Sequence, residues 1–209
     1  MKRSSYLLSA VCLSLIMWSC GKSSKEGKST FSQIKNSVKV IKSQSKNIQK
    51  LQSTMEGAQK LAEMDPIDQA ELKAWLPKTL NNYKRTSYTT DNLNVMGTSG
   101  FKSQFTHQKD KNKTINFDVI DGAGSFAATV VSGFNQKLGL DTEEETEQYY
   151  KQTVEKQGYT AIEEQNNKSK NAKITFVHNE RFLITLEGKN NKAADLWEFV
   201  NTLPLNRLK

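Results

Sequence analysis

Ala172–Glu187, AKITFVHNERFLITLE, is the stretch whose reading decides the fold. Ala172–His178 and Arg181–Glu187 read as two strands, with Phe182, Ile184 and Leu186 on one side of the second. A period of two marks a half-buried strand. Asn179-Glu180 between them predicts a tight hairpin, since asparagine tolerates the positive φ such turns need. Working backwards, Tyr149–Lys156 and Tyr159–Gln165 read as strands separated by Gly158, and Asn166–Asn171 as a turn. Further back, Tyr83–Thr90, Phe101–Gln108 and Thr114–Asp121 alternate in the same way, joined by the loop Asp91–Gly100 and the charged turn Lys109–Lys113. These three predict an antiparallel meander.

Helical patterns surround the strands. Gln69–Leu76 predicts a short helix stopped by Pro77, with Trp75, Leu76 and Leu80 plugging the edge of the core. Gly122–Gly124 breaks the strand pattern. Ser125 then suits a helix cap, and Phe126, Val130, Val131 and Phe134 give that helix an apolar face as far as Gly139. Asp141–Glu147 (DTEEETE) reads as an acidic connector, and a closing helix from Lys192 to Leu203 buries Leu196, Trp197, Phe199 and Val200. Runs of antiparallel strands with helices between them indicate the α+β class. Residues 65–209 are therefore expected to form a mainly antiparallel sheet of about seven strands flanked by helices.

Ahead of that domain the pattern changes. Phe31, Ile34, Val38, Ile41, Ile48, Leu51, Met55, Ala58 and Ala62 recur at steps of mostly three and four, predicting an amphipathic helix over 31–64 that ends at Asp65-Pro66. Lys35, Lys39, Lys42, Lys46 and Lys50 form a basic stripe on it. That stripe is either a solvated face or a surface for anionic lipid headgroups, and pairing of the helix with another copy is a third reading. Residues 20–30 are Gly/Ser/Lys-rich and read as a flexible leash. Residues 1–19 begin with Lys2 and Arg3, followed by an apolar run from Tyr6 to Trp18 that is too short for a bilayer core, which needs about 20 residues. Ser19-Cys20-Gly21 closes the run.

The net charge of +8 is unevenly placed. Residues 20–64 carry nine lysines against Glu26, Glu56 and Glu63, whereas residues 65–209 carry nineteen basic and nineteen acidic side chains. The basicity belongs to the tether. A neutral domain argues against nucleic acid as a partner, because such binding rests on a clustered basic surface. Of the two cysteines, Cys12 lies in the leader and Cys20 at its end, so the domain has no disulfide or thiol chemistry.

The leader resembles the signals of bacterial lipoproteins, whose lipobox of roughly Leu-Ala-Gly-Cys ends in a cysteine carrying diacylglycerol. Met17 and Trp18 depart from that pattern. The resemblance implies a signal peptide over 1–19, lipidation of Cys20, and membrane lipid as a partner. Gly21, instead of an aspartate, implies the outer membrane of a Gram-negative envelope. The segments LPKTLNNYKRTSY (76–88), FDVIDGAG (117–124) and NERFLITLEG (179–188) resemble uncharacterised Bacteroidota-type lipoproteins with a PsbP-like α-β-α sandwich. Those motifs are turns and strand ends, so they imply a fold without an activity.

Signals for chemistry are weak. Gly122-Ala-Gly124-Ser-Phe-Ala127 has the letters of a dinucleotide fingerprint, but the preceding strand alternates Asn116, Asp118 and Asp121 with apolar residues, unlike a central parallel strand. His107 and His178, the only histidines, lack zinc-ligand spacing and read as surface sheet residues. The acidic run lacks the alternation and turn glycine of a calcium loop. Tyr149, Tyr150, Tyr159 and the loop Asp91–Gly100 are candidates for lining a groove, or else packing residues. The expectation is a membrane-anchored envelope lipoprotein whose non-catalytic domain, without metal or cofactor, binds an envelope protein or small ligand. A structural spacer or oligomerising element and a hydrolase are the alternatives.

Overall fold

The computed structural model describes residues 52–90 and 98–209. They lie in one compact unit beginning at Ser45. The chain starts in helix α1 (residues 52–62), followed by α2 (Gln69–Trp75), β1 (Thr79–Leu80), β2 (Tyr83–Thr89), β3 (Gly100–His107) and β4 (Thr114–Asp121). Helix α3 (Ser125–Leu138) leads into β5 (Glu143–Glu145), β6 (Tyr149–Lys156), β7 (Tyr159–Asn166), β8 (Asn171–His178) and β9 (Phe182–Lys189). Helix α4 (Ala193–Thr202) and a short 3₁₀ turn (Leu205–Arg207) close the chain. All strands join one antiparallel sheet of nine, in the order β1-β2-β3-β4-β9-β8-β7-β6-β5.

All seven expected strands are present, and the first three form the expected meander. Two short edge strands are additional. Leu80 belongs to β1, and Glu143–Glu145 of the expected acidic connector pair with β6 as β5. Three glutamates in a row lack the apolar alternation by which a strand is recognised, but a solvent-exposed edge strand needs none. The turns follow the predicted chemistry. Gln157 and Gly158 both take positive φ (55° and 81°) in the two-residue β6–β7 turn, and Asn179 (50°) and Glu180 (56°) do so between β8 and β9.

Side-chain parity splits the sheet into two faces. Phe101, Phe105, Ile115, Phe117, Ile184 and Leu186 point to one face, where α2 and α4 cover them. Leu196, Trp197, Phe199 and Val200 of α4 are buried there as expected, as are Trp75 and Leu76 beside α2. Each such side chain stabilises the fold by roughly 1.5–3 kcal/mol on burial. Edge-to-face contacts such as Phe105–Phe199, with centroids 5.1 Å apart, fix their geometry. The other face carries a smaller cluster of Ile120, Leu183 and Val177 beneath α1 and α3.

Two helix faces differ from expectation. In α3 the buried residues are Ala127, Ala128 and Val131, while Phe126 is 47% exposed. Its N-cap is Gly124 at φ 89°, ψ 152°, a conformation open to glycine, and Ser125 is the first helical residue instead of the cap. In α1 the buried residue is Leu61, one step off the predicted stripe, and Met55 is 64% exposed. The expected helix 31–64 ends at residue 62, and the part over 31–51 lies outside the described residues. No helix among the described residues is long and apolar enough to cross a membrane.

Candidate functional site

The second face of the sheet is covered over only part of its area, and this creates the two main concavities. Where α1 and α3 leave the sheet uncovered, the register aligns Gln104, Asn116, Glu187, Lys173, Glu164, Lys151 and Glu144 in one row across seven strands. Charge alternates along its second half. Lys173 Nζ meets Glu187 Oε1 at 2.7 Å, Lys151 Nζ meets Glu164 Oε1 at 3.6 Å, and Gln104 Nε2 donates to Asn116 Oδ1 at 3.2 Å. Tyr149 donates to Glu164 at 3.0 Å, and burial, reinforced by that carboxylate, raises its phenol to about 12. A hollow of about 340 Å³ lies over this row. Its polar groups already satisfy one another, so it is a solvated face.

The larger concavity, about 600 Å³, lies where α1 and α3 approach β6, β7 and β8. Thr153, Glu155, Thr160 and Val177 share the outward parity of this face and form the floor. Leu61 of α1 and Leu138 of α3 form apolar walls. One end is fixed by the segment after α3, where Thr153 Oγ1 donates to the Leu140 carbonyl at 3.1 Å and Thr153 N–H to the Thr142 carbonyl at 2.9 Å. That holds Asp141 on the rim, while the β8–β9 hairpin brings Glu180 to the opposite rim. A concavity of this size falls in the range of small-molecule sites. Leu140, adjoining the rim, is 65% exposed.

Other polar clusters serve the fold. Asp121, wholly buried at the end of β4, accepts two hydrogen bonds from Arg181, Nε to Oδ1 at 2.6 Å and Nη2 to Oδ2 at 2.7 Å. It also accepts the N–H groups of Ile67 and Ala123, and Arg181 donates to the Asp65 carbonyl. The cluster thus ties the α1–α2 linker to the sheet, and the carboxylate raises the pKa of the guanidinium. On the α4 face, buried Glu163 accepts from Trp197 Nε1 at 2.6 Å and Tyr150 Oη at 2.8 Å, with Lys156 at 3.6 Å. Burial and that carboxylate push the Tyr150 phenol up. Gln165 accepts from the N–H of Ala193 at the start of α4, and Asn191 accepts from Tyr83, whose phenol burial and nearby Asp195 raise to about 12. Sequence reading missed these residues. Glu163 and Gln165 share the parity of buried Ala161, and an acid at an inward position is the signal that could have found them.

The residues singled out beforehand are dispersed. Cys20 and Lys35, Lys39, Lys42, Lys46 and Lys50 lie outside the described residues, as does most of the loop Asp91–Gly100. Tyr150 and Tyr159 point to the α4 face while Tyr149 belongs to the open face, so the three do not line one groove. His107 accepts two turn N–H groups at one end of the sheet. His178 sits at the other end. It is buried instead of surface-exposed, with Nδ1 against Tyr159 Oη at 3.0 Å and Nε2 lacking a hydrogen-bond partner, and burial lowers its pKa. The C-terminal turn covers it, through Asn179 donating to the Leu208 carbonyl. The glycine-rich turn follows a strand antiparallel to both neighbours, so it is not the β-α turn of a parallel dinucleotide unit. Gly122 is there for closeness: a Cβ would lie 2.6 Å from the Arg181 carbonyl oxygen. Among the described residues, no three of His, Cys, Asp and Glu are grouped to hold a metal.

No family model, curated protein or solved structure matches this chain.

Proposed function

We propose that this chain is a lipid-anchored protein of the cell envelope, held by an acylated Cys20 in the outer membrane of a Gram-negative bacterium. Its α+β domain, arranged like a PsbP-like sandwich, is a non-catalytic module that binds a small ligand or envelope partner in the groove between α1, α3 and β6–β8. The observation that carries the binding half is the placement of α1. The helix that leads back toward Cys20 is itself a wall of the largest concavity, through Gly57 and Leu61. What occupies the groove therefore touches the element nearest the anchor. Floor residues Thr160 and Val177 and wall residue Leu138 offer hydroxyl and apolar contact, which suits binding more than bond breaking.

The anchor is tested by metabolic labelling with an alkyne fatty acid. The wild-type chain should take the label and Cys20→Ala should not; equal labelling of both rejects the anchor. The groove is tested by fragment titration of the Cys20→Ala chain followed by amide NMR. Perturbations should gather at Thr153, Thr160 and Val177, and a concentration of shifts elsewhere would move the site.

A further inference from the structure

We infer that the groove takes an elongated organic cation of the aliphatic polyamine class; this deepens the binding-module reading and rests on it. The groove is charged in one sense only. Asp141, Glu155 and Glu180 line it, and no lysine, arginine or histidine does, although residues 65–209 hold equal numbers of acidic and basic side chains. Elsewhere the fold neutralises its carboxylates. Asp121, Glu163, Glu164, Glu187 and Asp195 each sit within 4.0 Å of a lysine or arginine nitrogen. The three groove carboxylates enter no ion pair among the described residues. Only Glu155 has a protein donor on its side chain there, the Thr160 hydroxyl.

Their spacing selects the shape of the cation. Glu155 lies on β6 and Asp141 beside Thr153 of the same strand, whereas Glu180 lies in the hairpin that leaves β8 for β9. Neighbouring strands stand about 4.8 Å apart, so crossing from β6 over β7 and β8 to β9 covers about 14 Å. A metal ion cannot bridge that span. A methylene chain with an amine at either end can, lying over Val177 between the walls of Leu61 and Leu138. Charge-assisted hydrogen bonds to the carboxylates would then supply specificity, and the apolar floor would bury the methylenes. Lys60 and Lys209 line the adjoining hollow beyond Glu180, which ends the acidic track and limits ligand length.

The test is isothermal titration of the full chain carrying Cys20→Ala with spermidine, using 1,8-octanediol and octanoate as neutral and anionic probes of similar length. Spermidine should saturate one site, and Asp141→Asn with Glu155→Gln should weaken it at least tenfold. Glu143→Gln with Glu144→Gln removes the same charge from β5 outside the groove and should leave affinity within twofold. Equal weakening by both double variants would show diffuse attraction and overturn the proposal. Absence of saturation by spermidine would also overturn it. If octanediol then still shifted the Thr160 and Val177 amides, the groove would stand as a binding site and only the cation would be lost. If neither probe shifted them, the binding-module reading would fall as well.

Discussion

Arg181 grips Asp121 through two parallel hydrogen bonds, although 60 positions separate them. The carboxylate has no exposed surface and accepts two backbone N–H groups besides, so all its acceptor positions are engaged. Removing one partner of such a pair leaves an uncompensated buried charge, which costs more than the pair itself contributes. Asp121→Asn should therefore destabilise the domain by about 3 kcal/mol or more. Urea denaturation of the Cys20→Ala background measures it. A loss under about 1 kcal/mol would mean that Arg181 finds water or the Asp65 carbonyl an adequate substitute.

Two glycines should respond in opposite ways to alanine. At Gly122 the new methyl would lie 2.6 Å from the Arg181 carbonyl oxygen and 2.9 Å from Val131, both fixed in the core. Overpacking of this kind costs about 1–3 kcal/mol. At Gly133, inside α3, nothing lies within 4 Å, so alanine should stabilise by up to about 1 kcal/mol through helix propensity. Thermal unfolding of the two variants decides the matter, and a shift of the same sign in both would refute the packing argument.

His178 predicts a stability that depends on pH. Burial lowers its folded pKa, so the unfolded chain takes up the proton first as pH falls. The stabilising difference is present above the ordinary histidine range near 6.5 and is lost as pH drops below it. Between pH 7.5 and 5.5 the wild-type chain should thus lose more stability than His178→Phe. Denaturant midpoints at the two pH values give the comparison, and equal losses would return His178 to a role in packing alone.

The basic stripe can be judged apart from the domain. If Lys35, Lys39, Lys42 and Lys46 lie against headgroups, replacing all four by glutamine should weaken binding of the lipid-free chain to anionic vesicles. Each lysine near the surface contributes about 1 kcal/mol. Co-sedimentation with phosphatidylglycerol vesicles provides the measurement. Unchanged binding would make the stripe a solvated face.

Much of the sheet was legible because alternation is local: Phe182, Ile184 and Leu186 announce their shared side without reference to any partner. The edge strands were not. Thr79–Leu80 is too short to alternate, and Glu143–Glu145 has no apolar residue to display a period. Helix faces slipped where small residues decide: Ala127 and Ala128 fit under α3 where bulky Phe126 does not. The groove was illegible for a different reason. Leu61, Leu138, Glu155 and Glu180 come from four elements, and only the strand order and the docking of α1 and α3 make them neighbours. Glu163 and Arg181 read as ordinary surface charges until the parity of Ala161 and the burial of Asp121 reveal their settings.

The last strand made is the one in the middle. β9 sits between β4 and β8, and its Leu186 pairs with Phe117 on one side and Ile174 on the other. Until Phe182–Lys189 exists, β4 offers a bare eight-residue edge studded with Ile115, Phe117 and Val119. Such an edge invites pairing with the wrong chain. The two halves of the sheet therefore cannot consolidate one after the other as the ribosome delivers them. A chain emerging from its amino end must be kept apart from its neighbours until almost the whole polypeptide is available, and a nonsense codon anywhere before residue 182 leaves no partly useful product.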